Sequence, residues 1–340
     1  MKKVFILAAA IIVVLLPSCD KDPKVTVGNT IQDPYVVSTL AGNGREGYVD
    51  GPGNVAQFKS LMSIASDAQG NVYIADAYSY VIRKISTAGI VSTFAGDGVQ
   101  GFANGDGLAA RFSYPTRITI DPQGNLYVVD NYRIRKITPD RLVTTFAGGE
   151  SMGSINGMDT AARFYAMSCI TTDRQGNVFV KENGMSNGGA LKIRKITPAG
   201  LVSTFSEDGL FSTSLIADNA NNIYSGGSYS DGSIYRYSPL GVRSTVKQME
   251  GYLTSLVLDE QGNFYYTESG PFSFSYKHQI FKLSSSGNIS VIAGMEASGY
   301  GDGEGNTAKF NLPSSLTIDA QGNIFVSDIG NFRIRKLRKR

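Results

Sequence analysis

The sequence predicts an all-β fold built from six similar four-stranded sheets closed into a ring. Three observations lead there. One short segment recurs six times along the 340 residues. Strand-forming residues come in short runs broken by Gly, Asn, Asp and Pro, with 39 Gly, 18 Tyr and 17 Phe in the chain. No long stretch carries the apolar spacing of a helix.

The first residues stand apart from the repeat. Lys2 and Lys3 precede Val4 to Leu16, a 13-residue apolar run of signal-peptide length, too short to cross a bilayer. The run stops at Leu16-Pro17-Ser18-Cys19, which resembles a bacterial lipobox. That resemblance implies cleavage after residue 18, lipidation of Cys19, and an outer-membrane lipoprotein on the cell-surface or periplasmic side. The alternative is an ordinary secretory signal beside an incidental cysteine. Asp20-Lys21-Asp22 resembles the short surface-export signal of some Gram-negative lipoproteins. Residues 19–34 are polar, contain Pro23 and Pro34, and read as a tether. The ring then occupies residues 35–340.

With Cys19 lipidated, Cys169 stands alone as a small core residue and no disulfide can form. Removal of residues 1–18 takes two lysines and leaves a net charge of +1. So neutral a domain has no electrostatic footprint for nucleic acid. The expectation is a monomeric domain that meets the membrane only through its lipid.

The repeat itself is Ile118 to Asp130, with copies at Ile64 to Asp76, Ile170 to Glu182, Leu256 to Glu268 and Leu316 to Asp328, and a decayed copy from Leu215 to Tyr224. In each, a short apolar strand ends at Asp, whose carboxylate can start a turn. Gly-Asn is expected to supply the positive-φ positions of a hairpin. A second strand follows, then a third such as Ile134-Arg-Lys-Ile137, a turn such as Thr197-Pro-Ala-Gly200, and a fourth strand such as Leu201-Val-Ser-Thr-Phe205. Four antiparallel strands make one blade of a β-propeller, and each blade gains its core from its neighbours. Val36-Val-Ser-Thr-Leu-Ala-Gly42 matches the fourth strand Ile90 to Gly96 but precedes the first blade, while the last copy ends after its third strand at Leu337. The N-terminal strand is therefore expected to complete the sixth blade and close the ring.

The pattern Asp-x-x-Gly-Asn-x-(Tyr/Phe)-Val-x-Asp followed by Arg-Ile-x-Lys resembles NHL repeats over residues 36 to 337. The resemblance implies a six-bladed propeller without implying one activity.

A second motif joins the blades. Ala41 to Phe58, Ala95 to Phe112, Ala147 to Phe164 and Ala293 to Phe310 align without a gap. Each places Asp50, Asn104, Asn156 or Asp302 before a glycine and ends Ala-(Gln/Arg/Lys)-Phe. One reading is a turn plus a Phe that plugs the gap between blades. The other is a cation site using Asp50 and Asp302. These loops share one face with the second-to-third-strand loops, and the aromatic candidates for a recognition surface lie there: Tyr48, Tyr78, Tyr80, Phe102, Tyr132, Tyr229, Phe272, Phe274, Tyr276 and Tyr300. Exposed rings among Gly and Ser suit protein surfaces or sugar rings. Arg133 and Arg333 read as clamps on their own loops. The basic third strands, Arg83-Lys84, Arg135-Lys136, Arg194-Lys195 and Arg335-Lys336, read as solvated or semi-exposed faces.

The function expected is a binding scaffold for a protein or glycan, with no catalytic residues and no cofactor. Phosphate-loop and paired-Cys motifs are missing, and His278 is the only histidine. The enzyme alternative is a calcium-dependent lactonase or hydrolase using Asp76, Asp130, Glu182, Glu268 and Asp328 at the channel mouth. A structural spacer is the third reading.

Overall fold

A computed structural model describes residues 35–183, 191–227, 232–269 and 277–340. The proposed signal peptide, Cys19 and the tether lie outside the described residues, as do Tyr229, Phe272, Phe274 and Tyr276.

Six antiparallel sheets form six blades. Each is the meander foreseen from the repeat; in blade 1 it runs Ser63–Ser66, Val72–Asp76, Val81–Ile85 and Ile90–Ala95. Tyr35–Ala41 pairs antiparallel with Arg333–Lys339, setting Val37 opposite Leu337, so the chain's first described strand completes blade 6. Blades 1, 2, 3 and 6 each gain a two-residue fifth strand from the motif that joins the blades: Gly51–Pro52, Gly105–Asp106, Gly157–Met158 and Gly303–Glu304. Blades 4 and 5 have four strands.

The Asp of each repeat works harder than a turn starter. In blade 1, Asp67 accepts from the amides of Gln69 (3.1 Å) and Asn71 (2.8 Å), from the Asn71 side chain (2.7 Å) and from the Tyr73 hydroxyl (3.2 Å). The expectation that Gly and Asn both take positive φ is corrected. Gly70 alone does so, at +86°; Asn is chosen because its amide reaches back to the Asp carboxylate. In the decayed copy Asn221 takes the glycine's place at φ 60°.

The blades are welded by apolar and polar contacts. Phe58, Phe112, Phe164 and Phe310 are fully buried. Phe58 sits with Ile64 and Ile74 of blade 1 and Phe325 and Ile334 of blade 6, which is the plug foreseen. Burying one such ring is worth about 2–3 kcal/mol. At the innermost strands, serines bond across blade boundaries. Ser214 Oγ accepts the Leu256 amide (3.0 Å), Ser255 the Leu316 amide (2.9 Å), Ser315 the Ile64 amide (3.1 Å) and Ser63 the Ile118 amide (3.3 Å).

Candidate functional site

The short Asp-x-x-Gly hairpins occupy one end of the ring. The inter-blade and second-to-third-strand loops occupy the other, and this long-loop face carries the described aromatic candidates. Its framework is a set of buried arginines that strand alternation does not reveal.

Arg83, Arg135, Arg194 and Arg335 are completely buried. The expectation of solvated or semi-exposed faces is overturned for these four arginines, while Lys84, Lys136, Lys195 and Lys336 beside them are half-buried. The preceding inter-blade loop folds over each strand and offers a ready-made set of acceptors. Arg135 shows the pattern: Nη1 donates to Arg111 O (3.0 Å) and Asp130 Oδ2 (3.0 Å), and Nη2 to Ala103 O (2.8 Å) and Asn104 Oδ1 (3.0 Å). Arg335 repeats it with Lys309 O, Asp328, Gly301 O and Asp302. Arg83 and Arg194 do the same with Asp76 and Asp50, and with Glu182 and Asn156. The rigid guanidinium fork matches two carbonyls and two side chains at once, which an ammonium cannot.

This arrangement engages the acidic residues singled out in the sequence. Asp50 and Asp302 are arginine acceptors that also cap the outer strand: Asp50 takes the Thr93 amide (2.9 Å) and Asp302 the Thr39 amide (3.0 Å). Asn serves equally at 104 and 156 because a neutral amide oxygen also accepts. Asp76, Asp130, Glu182 and Asp328 sit one per blade, each against its arginine. Glu268 pairs instead with Lys277. Among the described residues no three His, Cys, Asp or Glu side chains come together to hold a metal ion. Burial pushes the Asp76 carboxyl up to about 6, while Arg83 and the Ser60 and Lys59 amides pull it back. His278 accepts the Leu312 amide at Nδ1 (3.2 Å), and burial lowers its pKa.

Blades 4 and 5 lack the long loop before them and also lack the arginine: Tyr235 and Phe281 occupy its place. In blade 4 a buried cluster takes over, with Asp208 bonded to both Lys181 and the Tyr237 hydroxyl.

The aromatic candidates divide in two. Tyr48, Phe102 and Tyr300 are lids on the arginines. Their rings lie under Arg83 (4.9 Å), under Arg133 and Arg135 (4.0 and 4.6 Å), and under Arg333 and Arg335 (3.8 and 5.1 Å). Tyr48 and Tyr300 also bond to Thr93 and Thr39 of the outer strands. Each ring keeps one exposed face. Arg333 clamps its loop as foreseen, donating to Asn331 O and Asn43 O. Tyr132 and Tyr80 are half-buried.

Tyr78 belongs to a different group. It is 53% exposed and its ring centroid lies 5.8 Å from that of Tyr114, which sequence reasoning missed. Tyr114 stands one residue before Pro115–Ile120, the innermost strand of blade 2. The neighbouring Tyr78 hydroxyl and partial burial push the Tyr114 hydroxyl up to about 12, with Tyr80 adding to the effect and Arg117 opposing it. Tyr78, Tyr80, Tyr114 and Arg117 therefore meet where the long-loop face opens into the central channel. The only signal for Tyr114 in the sequence is its place after the plug Phe112.

Comparisons with known proteins agree with this architecture. A structure of an auxiliary nutrient binding protein from Bacteroides thetaiotaomicron aligns over 91% of this chain and 77% of its own, with 16% identity and a TM-score of 0.64. A gluconolactonase from Xanthomonas campestris, XC5397, aligns over 91% and 95%, with 12% identity and a TM-score of 0.60. At these identities the likeness is one of fold. Human Teneurin-4 is 36% identical over 74 residues, 18% of this chain but only 3% of that much longer protein. The family model of the Teneurin NHL domain matches residues 44–245, more than half of the chain. The repeated hairpins, the six closed blades and this match make the chain a member of the Teneurin NHL domain family.

Proposed function

We propose that this protein is an extracytoplasmic binding propeller, anchored through Cys19, that takes a protein or glycan ligand on its long-loop face. The observation that carries the reading is the tyrosine cluster beside the channel. Tyr78 is held by Tyr114 across the boundary between blades 1 and 2, yet more than half of it stays exposed. A pre-positioned, amphipathic ring loses little conformational entropy on binding and suits a sugar face or a peptide. The exposed faces of Tyr48, Phe102 and Tyr300 extend the surface around the rim. The nutrient-binding name of the Bacteroides neighbour supports an extracytoplasmic binding role. The lactonase reading is weaker, because Asp76, Asp130, Glu182 and Asp328 are already engaged by arginines in the frame.

The test is a glycan array and a cell-surface pull-down with protein lacking residues 1–34, followed by Tyr78→Ala. The expected result is a captured ligand whose affinity falls about tenfold in the variant, with an unchanged thermal midpoint. Equal affinity for the two proteins refutes the assignment of this face.

A further inference from the structure

The innermost strands enclose a central cavity of about 190 Å³. Among the described residues its wall is made almost entirely of aliphatic and hydroxyl side chains, and Arg117 is its only cation. Arg117 is a departure from the repeat. The matching position in the other blades holds Ser63, Cys169, Ser214, Ser255 and Ser315. Its Nε donates to Ser168 O (2.5 Å) and its Nη1 to Thr116 O (3.0 Å), which fixes the guanidinium between blades 2 and 3. Among the described residues no carboxylate pairs with it; its electrostatic neighbours are Cys169 and Tyr114. Both are neutral at physiological pH, because burial raises the Cys169 thiol to about 11 and Tyr114 stands at about 12. Arg117 is half-buried; a partly desolvated cation without an anion carries a cost, and natural proteins pair such charges. A neutral glutamine, whose amide nitrogen falls where Nε does, could keep the contact to Ser168 O that crosses to blade 3, so stitching two blades does not account for the charge.

The neighbouring hydroxyls add donors. Ser63, Ser315 and Ser255 lie at the same level of the channel on blades 1, 6 and 5, the consecutive blades leading away from blade 2. Each oxygen already accepts a backbone amide from the next blade. Among the described residues none of the three donates its own proton to a protein acceptor. Each hydroxyl therefore keeps a rotatable proton that is free to donate into the cavity it lines. One guanidinium and an arc of hydroxyl donors, with no carboxylate on the wall, form an anion site. A single positive charge balances a monoanion; a doubly charged phosphate would leave a net negative charge in a narrow, low-dielectric channel.

We propose that Arg117, with Ser63, Ser255 and Ser315, binds the carboxylate of a ligand whose remaining part rests on the Tyr78–Tyr114 cluster at the mouth. This deepens the binding reading given above and depends on it for the outer half of the ligand only. The same carboxylate chemistry could come from an acidic sugar or from the C-terminus of a peptide.

Calorimetric titration of the intact protein at low salt separates these cases, with glucuronate and glucose as one pair and acetyl-glycyl-glycine and its amide as the other. The expected result is that one acid binds while its neutral counterpart does not. Binding should weaken about ten- to a hundredfold in Arg117→Gln and partly recover in Arg117→Lys. Equal response to acid and neutral probes in the wild-type protein, or no response to either acid, overturns the proposal whether or not the variants fold. If Arg117→Gln folds and still binds the acid as the wild type does, the site is elsewhere and the proposal also falls. Loss of array ligand binding in Tyr78→Ala with acid binding intact leaves the carboxylate site standing, and the reverse pattern leaves only the outer face.

Discussion

Replacing Arg135 by methionine tests whether the buried arginines hold the long-loop face in place. Methionine keeps the apolar stem and removes the guanidinium. Four hydrogen bonds go with it, two to the carbonyls of Ala103 and Arg111, one to Asn104 and one to Asp130. Contacts over the rings of Phe102 (4.6 Å) and Phe112 (5.2 Å) are lost as well. The largest consequence falls on Asp130, which is 1% exposed and keeps only the Ser113 and Tyr114 amides as donors. Burial already raises its pKa. Breaking a buried ion pair from one side costs about 3–5 kcal/mol, mostly through the abandoned charge. Asp130→Asn in the same chain removes that charge, and the double variant should recover about 1–3 kcal/mol. The chain has no Trp, so urea unfolding is followed by tyrosine fluorescence and circular dichroism. Hydrogen exchange at the Ala103 and Arg111 amides, which pair with each other's carbonyls, reports release of the loop alone. A cost below about 1 kcal/mol, unaltered exchange and no coupling between the two sites would refute the view that the arginine organises this face.

Two further outcomes follow from the same architecture. The Asp76 carboxyl should titrate near 6, above its ordinary 3.8, by carbon-detected NMR; because the folded state favours its protonated form, the stability linked to this group is present below about 3.8 and lost as pH rises through 6. A titration below 4 contradicts burial as the dominant cause, and Arg83→Met should move the value higher still. Deleting residues 35–41 strips Arg333–Lys339 of its outer partner, leaving it paired only with Ile324–Asp328, and opens blade 6; light scattering should detect association through the exposed edge, together with a lower unfolding midpoint, and a monomer of unchanged midpoint contradicts closure as a source of stability.

Much of this fold was legible in the sequence, and for a definite reason. A blade is a local object: its turns, its strand alternation and the Asp that organises its first hairpin lie within a few residues of one another, so each copy carries its own instructions. Repetition then multiplied a weak pattern six times, and the unmatched strand at Val36 announced the closure of the ring. The inter-blade Phe could be read as a plug because its spacing never varied. The arginines could not be read correctly from their own strands. Arg135 meets Asn104 from 31 residues away and Ala103 from 32, after the loop has folded over a finished sheet. A trace of this was present, since blades 4 and 5 lack both the long loop and the arginine, but only the tertiary structure gave that correlation a cause. The channel site is more remote again. Arg117, Ser63, Ser255 and Ser315 come from four blades, and no local pattern marks one strand's cation as the neighbour of other strands' hydroxyls. The sequence by itself determined the blades, their number and their closure, because those depend on short-range turns and apolar periodicity. Which charges are buried, which rings stay exposed and which donors converge were decided by the ring, because they depend on contacts that exist only when separate blades meet.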